Sequence, residues 1–234
     1  MDFRAAGIFG GLIALGLAIA GLLVGRGIAD IRKPAPYVTV RGVAERDVVA
    51  DLATWTILAQ ANGNSLADVQ ARADRDAQAV RAFLEARGFR PEEVSVRGSG
   101  VNQYVDSMRG TLNVTLRQRF QARTTDIAKM EKAFADQAEI IRAGVAMDSD
   151  GGSISYSFTK LNDVKPAMIA EATRSAREAA DQFAADSGTK VGGIRTATQG
   201  FFTITGRDGD PGPGNDTPSQ KVRVVTTIEF TLED

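Results

Sequence analysis

The sequence predicts an α+β fold: pseudo-duplicated strand-helix-strand-strand units forming an antiparallel sheet with helices packed on one face, preceded by one N-terminal transmembrane helix. Three observations predict it. An uncharged apolar run opens the chain, helix-period stretches alternate with runs rich in β-branched residues, and the order strand, helix, strand, strand recurs in each half.

The run Ala5 to Gly25 carries no charge. At about 1.5 Å rise per residue it reaches across a hydrocarbon layer of roughly 30 Å. Residues 1–27 therefore read as a membrane anchor. The alternative is a signal peptide, for which Ala18-Ile19-Ala20 offers a small-x-small cleavage site. Against cleavage, the apolar run continues through Leu22, Leu23 and Val24, and only Arg4 stands before it, offset by Asp2. Small residues at Gly7, Gly11, Ala14, Ala18, Gly21 and Gly25 draw one stripe along such a helix, beside a bulky stripe that includes Ile8, Leu12 and Leu15. Lipid gives apolar side chains no reason to leave it, so membrane helices associate by close backbone approach along such stripes. Because 11 of the 21 residues are Gly or Ala, composition alone also produces near-regular spacing. The charges Arg26, Arg32 and Lys33 follow the run, and the positive-inside rule taken alone keeps the folded domain in the cytoplasm.

A linker, residues 28–36, contains Pro34 and Pro36 and leads into the folded domain, 37–234. Strand character begins at Tyr37. Gly42 and the polar Glu45-Arg46-Asp47 suggest a break or sharp bend, and the phase of the apolar positions shifts near Ala53, as at a bulge. Ser65 is the expected N-cap of a helix with Leu66, Val69, Ala73, Val80, Phe83 and Leu84 on one face, ending by Gly88. Two long strands follow, joined by a turn near Arg109-Gly110. A second helix starts at Thr125 and ends by about Ala138. The order then repeats: a strand over 153–158, a long helix from Asn162 to Ser187, and strands over 191–204 and 220–232. Ala172, Ala176, Ala179, Ala180 and Phe183 of the long helix are candidates for subunit packing, although alanine is also simply the best helix former.

The chain contains no Cys and no His. That removes the Ser-His-Asp triad, Cys-His pairs, thiol redox chemistry and nearly every zinc site. With 28 Lys+Arg against 29 Asp+Glu there is no global positive field for nucleic acid. Ser187-Gly-Thr-Lys190 matches S-x-x-K, but Gly188 ends the helix between the two groups and the partner motifs are absent. The acidic loops 147–153 (Asp148, Asp150) and 206–216 (Asp208, Asp210, Asp216) lack the calcium-loop pattern. They read as solvated hairpin tips. Gly98-Ser99-Gly100, Gly192-Gly193 and Gly63 lack phosphate-loop spacing and read as bulges and turns, and Glu92-Glu93 after Pro91 as a solvated strand entrance. No catalytic, cofactor or metal residue follows from spacing, and no small-molecule ligand is identified.

The stretches YVTVRGVAERDVVADLATW, EARGF, KPAMIAEATRSAREAADQFAADSGTKVGGIRTATQGFF and KVRVVTTIEFTLED together resemble the SIMPL-domain family of bacterial envelope proteins, over residues 37 to 234. The resemblance implies an exported α+β domain in the periplasm, with no established catalytic residues. Some members are similar to periplasmic immunogenic antigens that assemble into rings or cages; others are linked to protection against oxidative stress, and a eukaryotic branch to a signalling kinase. The expectation is a non-enzymatic, single-pass inner-membrane protein whose partners are itself and membrane lipid, with a scaffolding role as a homo-oligomer. The alternative is a periplasmic binding or stress-protective module acting as monomer or dimer.

Overall fold

The structure is a computed structural model and describes residues 15–23, 36–108, 110–147, 152–207 and 215–233. Residues 15–23 form a helix, α1. The remaining elements are, in order, β1 (Tyr37–Val49), β2 (Leu52–Gly63), α2 (Leu66–Ala86), a 3-10 turn (Pro91–Glu93), β3 (Val94–Asp106), β4 (Thr111–Thr124), α3 (Ile127–Ala135), α4 (Ala138–Arg142), β5 (Ser153–Ser157), α5 (Leu161–Ser187), β6 (Lys190–Gln199), β7 (Thr203–Gly206) and β8 (Ser219–Glu233). The α+β class is as expected, but there are two antiparallel four-stranded sheets. One has the order β1-β8-β6 with β7 also on β8, the other β3-β4-β2-β5. The second strand-helix-strand-strand unit does not close on itself, because β5 leaves it to pair with β2, placing Tyr156 opposite Ala53 and Ile154 opposite Trp55.

β1 runs unbroken through Gly42, and the expected break falls instead at Ala50-Asp51. There the backbone turns away from its own strand: the Ala50 amide donates to the Pro218 carbonyl at 2.8 Å and the Asp51 amide to Ser157 at 3.1 Å. The phase shift near Ala53 is this strand boundary, not a bulge. Even-numbered residues of β1 face inward, whereas in β2 the buried set is Ala53, Trp55, Ile57, Ala59 and Ala61. Glu45 remains on the outer side of β1, paired with Lys221 and Arg223. The long apolar stretch after α5 divides at Gly200, so β6 and β7 are separate strands.

The chain divides into two compact units. The first comprises Met1–Gly42, Thr173–Thr198 and Thr226–Asp234. Its core is Val38, Val40, Ala176, Ala180, Ile228 and Phe230, and Arg177 lies over the Phe230 ring. Small alanines on α5 let that helix sit close to the strands beneath it.

The second comprises Val43–Ala172 and Gln199–Val225. Its largest core lies between α2, α3, α4 and one face of the sheet β3-β4-β2-β5. Trp55 stands at the centre, fully buried, with Phe83 at 6.2 Å and Phe134 at 5.5 Å, both edge-on. α2 follows the sequence pattern closely, with Val69, Ala73, Val80, Phe83 and Leu84 buried. Ser65 occupies the N-cap position but makes no side-chain cap bond. Asp76 is also buried on that helix; burial raises its carboxyl above the usual range against the pull of Arg72 and Arg75. α3 is capped by Asp126, which accepts from the Lys129 amide at 2.9 Å. The helical path continues into α4 beyond the expected end because Ile140 joins the same core.

Candidate interaction surface

The helices cover one face of the sheet β3-β4-β2-β5, and the strand period of two places a different set of residues on the other. On β4 that set is Asn113, Thr115, Arg117, Arg119, Gln121 and Arg123, lying beside Asn62, Gln60, Leu58, Thr56 and Thr54 of β2. β5 adds Ser153 and Ser155 opposite Thr56 and Thr54. β3 carries a register shift between Val96 and Gly98, the bulge expected from its glycines, and beyond it Gly98, Gly100, Asn102 and Tyr104 stand opposite Arg119, Arg117, Thr115 and Asn113. The bulged Arg97 donates through Nε to Gln121 Oε1 at 2.8 Å, on this same face.

Two strand glycines facing two arginines leave a trough. Its first part, of about 450 Å³, is lined by Gly98, Gly100, Leu58, Arg117 and Arg119. It continues past Gly100 and Arg117 into a second hollow of about 400 Å³ bordered by Asn102, Tyr104 and Thr115. A Cβ on Gly98 or Gly100 would meet no atom within 4 Å. Nothing inside the chain requires glycine there.

β3 is also an edge of its sheet. Among the described residues no further strand pairs with its outer side, and the hairpin it makes with β4 exposes Val96, Val101, Val105 and Met108, the last 97% exposed. Edge strands of this length and apolarity are templates for another chain.

At the base of the hairpin, Glu93 is not the solvated residue its sequence context suggests: its side chain is 9% exposed and bonded to Lys129 Nζ at 3.0 and 3.2 Å. The Arg90 amide donates to Glu93 Oε2 at 2.9 Å, and Lys129 also reaches the Gly88 carbonyl and lies 4.6 Å from the Phe89 ring centre. Burial opposes ionisation of Glu93, but the Arg90 amide, the Thr124 hydroxyl and Lys129 outweigh it and hold the pKa at about 2, against 4.5 ordinarily. A folded pKa below the unfolded one means stability that is present above pH 4.5 and lost as pH falls towards 2. Glu93→Gln is expected to lower stability at neutral pH by at most roughly 3 to 4 kcal/mol, since each pKa step of one corresponds to about 1.36 kcal/mol. In urea titrations the difference from the parent should shrink through that window; a difference independent of pH would refute the assignment.

Ser187 Oγ bonds the carbonyls of Phe183 and Ala184 and Thr189 Oγ1, while Lys190 opens β6, so the S-x-x-K match forms no Ser-Lys pair. Of the alanines considered for subunit packing, Ala172, Ala176 and Ala180 are fully buried in the chain's own cores. They pack against the strands beneath α5, whereas Ala179 and Phe183 face outward. Within the anchor stripe, Ala18 and Gly21 lie on α1, whose Leu15, Leu17, Ile19, Leu22 and Leu23 are exposed. Gly7, Gly11, Ala14 and Gly25 lie outside the described residues, as do Asp148, Asp150, Asp208 and Asp210 of the acidic loops. Among the described residues no helix is long and apolar enough to cross a membrane. Sequence reading passed over the arginine row of β4, whose R-x-R spacing opposite G-x-G was the available signal.

Among solved structures the chain is similar to a hydrolase from Listeria innocua, at 12% identity over 89% of this chain and 98% of that one, with a TM-score of 0.21. It is also similar to an unknown protein from Galdieria sulphuraria, at 10% identity over 76% and 83% of the two chains, with a TM-score of 0.19. At these values neither bears on activity. No curated protein matches. The family profile, in contrast, matches residues 38–230, nearly the whole folded region, and the chain belongs to the SIMPL family, described as a protein of unknown function (DUF541).

Proposed function

We propose that this protein is a non-enzymatic cell-envelope protein, anchored in the inner membrane by one N-terminal span with its folded domain in the periplasm, that self-assembles into a homo-oligomeric ring or cage with a scaffolding role. The observation that carries the reading is the outer edge of β3, which no other described strand covers and which bears exposed valines. Such an edge pairs readily with a second copy, because each added strand satisfies a row of backbone groups and covers apolar side chains together. The apolar run Ala5 to Gly25 supports the anchor, and its small-residue stripe would bring copies together in the bilayer.

The alternative, a periplasmic binding module acting as monomer or dimer, draws support from the trough between β3 and β4. Mass measurement of the complex extracted in mild detergent separates the two. A multimer that dissociates in the Val101→Lys, Val105→Lys double variant is expected, since a lysine on an edge strand blocks strand addition. A monodisperse monomer for the parent protein rules the scaffold out.

A further inference from the structure

From the trough between β3 and β4 we infer a binding site for an extended acidic peptide segment with carboxylates at alternate positions. Three observations lead there. The first is uncompensated charge: among the described residues, Arg97, Arg117, Arg119 and Arg123 enter no ion pair, and the open face carries no carboxylate between Ser95 and Tyr104 on β3 or anywhere along β2 and β4. Placing four cations on one sheet face costs stability, since like charges on neighbouring strand positions repel.

The second is how two of these arginines are held. Arg117 Nε donates to Gln60 Oε1 at 3.3 Å, and the Gln60 amide in turn donates to Asn62 Oδ1 at 3.0 Å; Arg97 is tied to Gln121. Neutral amides fix the position of each guanidinium without cancelling its charge. A carboxylate arriving from outside then meets a donor that is already oriented, which lessens the ordering entropy lost on binding.

The third is the floor. Glycine inside a strand weakens it, and its usual justification is close approach by another backbone or a ligand. Gly98 and Gly100 have open space where side chains would stand. From Gly98 to Tyr104 the trough runs roughly 20 Å at 3.3 Å per residue, the length of about six residues of extended chain. Arg117 and Arg119, two residues apart on one face, are spaced by about 7 Å, which is the repeat of alternate side chains on an extended peptide.

Fluorescence anisotropy tests this with the full chain in mild detergent at low salt, using a labelled peptide in which Asp alternates with Ser. Binding is expected for the parent protein, weaker as salt rises. Arg117→Gln with Arg119→Gln should weaken it by roughly tenfold or more, as for loss of charge-assisted contacts at an interface. Gly98→Val with Gly100→Val should abolish it by filling the floor while leaving every charge in place. The valine variant should melt no lower than the parent, because β-branched residues favour strands and the added atoms meet open space, so its loss of binding cannot be laid to unfolding. No binding by the parent, undiminished binding in the arginine variant, or full displacement of the peptide by an equal concentration of inorganic phosphate would each overturn the assignment. The oligomeric mass reports on the scaffold reading separately and does not depend on this outcome.

Discussion

Replacing Trp55 by alanine is expected to cost about 3 to 5 kcal/mol, the range for emptying a large aromatic from a packed core. Its indole is fully buried, meets the rings of Phe83 and Phe134 edge-on, and sits on the central strand β2 between β4 and β5. The surrounding atoms belong to two helices and a sheet whose backbones are fixed by their own hydrogen bonds, so collapse into the vacated volume is limited. Trp55→Phe keeps much of the apolar area and should cost clearly less. Because Trp55 is the only tryptophan, unfolding is followed by far-UV circular dichroism in urea. A loss below about 1 kcal/mol, the centre of the distribution for ordinary substitutions, would show that the aromatic cluster is not the keystone of that unit.

Gly152→Ala is expected to be at least as damaging. Gly152 has φ +87, and a Cβ there would run into the Thr56 carbonyl oxygen and stand 3.0 Å from Trp55 Nε1. The left-handed backbone alone costs an alanine roughly 1 to 2 kcal/mol. The collision adds to that because it is with main chain of the central strand, which cannot rotate away as a flexible side chain would. Gly188 provides the control: its φ is +72, yet a Cβ would meet nothing within 4 Å. Gly188→Ala should therefore show only the backbone cost, while Gly152→Ala should lose several times as much or fail to accumulate as folded protein. Equal melting temperatures for the two variants would contradict this account.

Much of the fold was legible in the sequence because short-range rules governed it. The apolar face of α2, the turn before β4 and the stop at Gly188 each follow from periodicity or from a glycine with positive φ. Long-range choices were not legible. Nothing near residue 153 reveals that β5 pairs with Leu52–Thr56 and not with its own downstream neighbours, since both pairings bury the same alternating side chains. Glu93 looked like a surface acid because its cation, Lys129, is 36 residues away. The trough was split between two strands, so the glycines read only as bulges and turns and the arginines of β4 were passed over. Only the register of β3 on β4 sets one against the other.

The attachment of β5 to β2 also sets the order in which the unit can be built. β2 is complete on one side once Thr111–Thr124 is available, but its other side waits for Ser153–Ser157, about a hundred residues downstream, and Ile154 and Tyr156 are what close the core beside Trp55 and Ala53. A chain emerging in sequence must therefore hold β2 half-paired while α2, β3, β4, α3 and α4 are assembled. Closing so long a loop is slow, and the half-sheet is for that time an exposed edge. Pulse-labelled hydrogen exchange should find the β2–β4 amides protected before those of β2–β5, with Trp55 reaching its final packing in the later step.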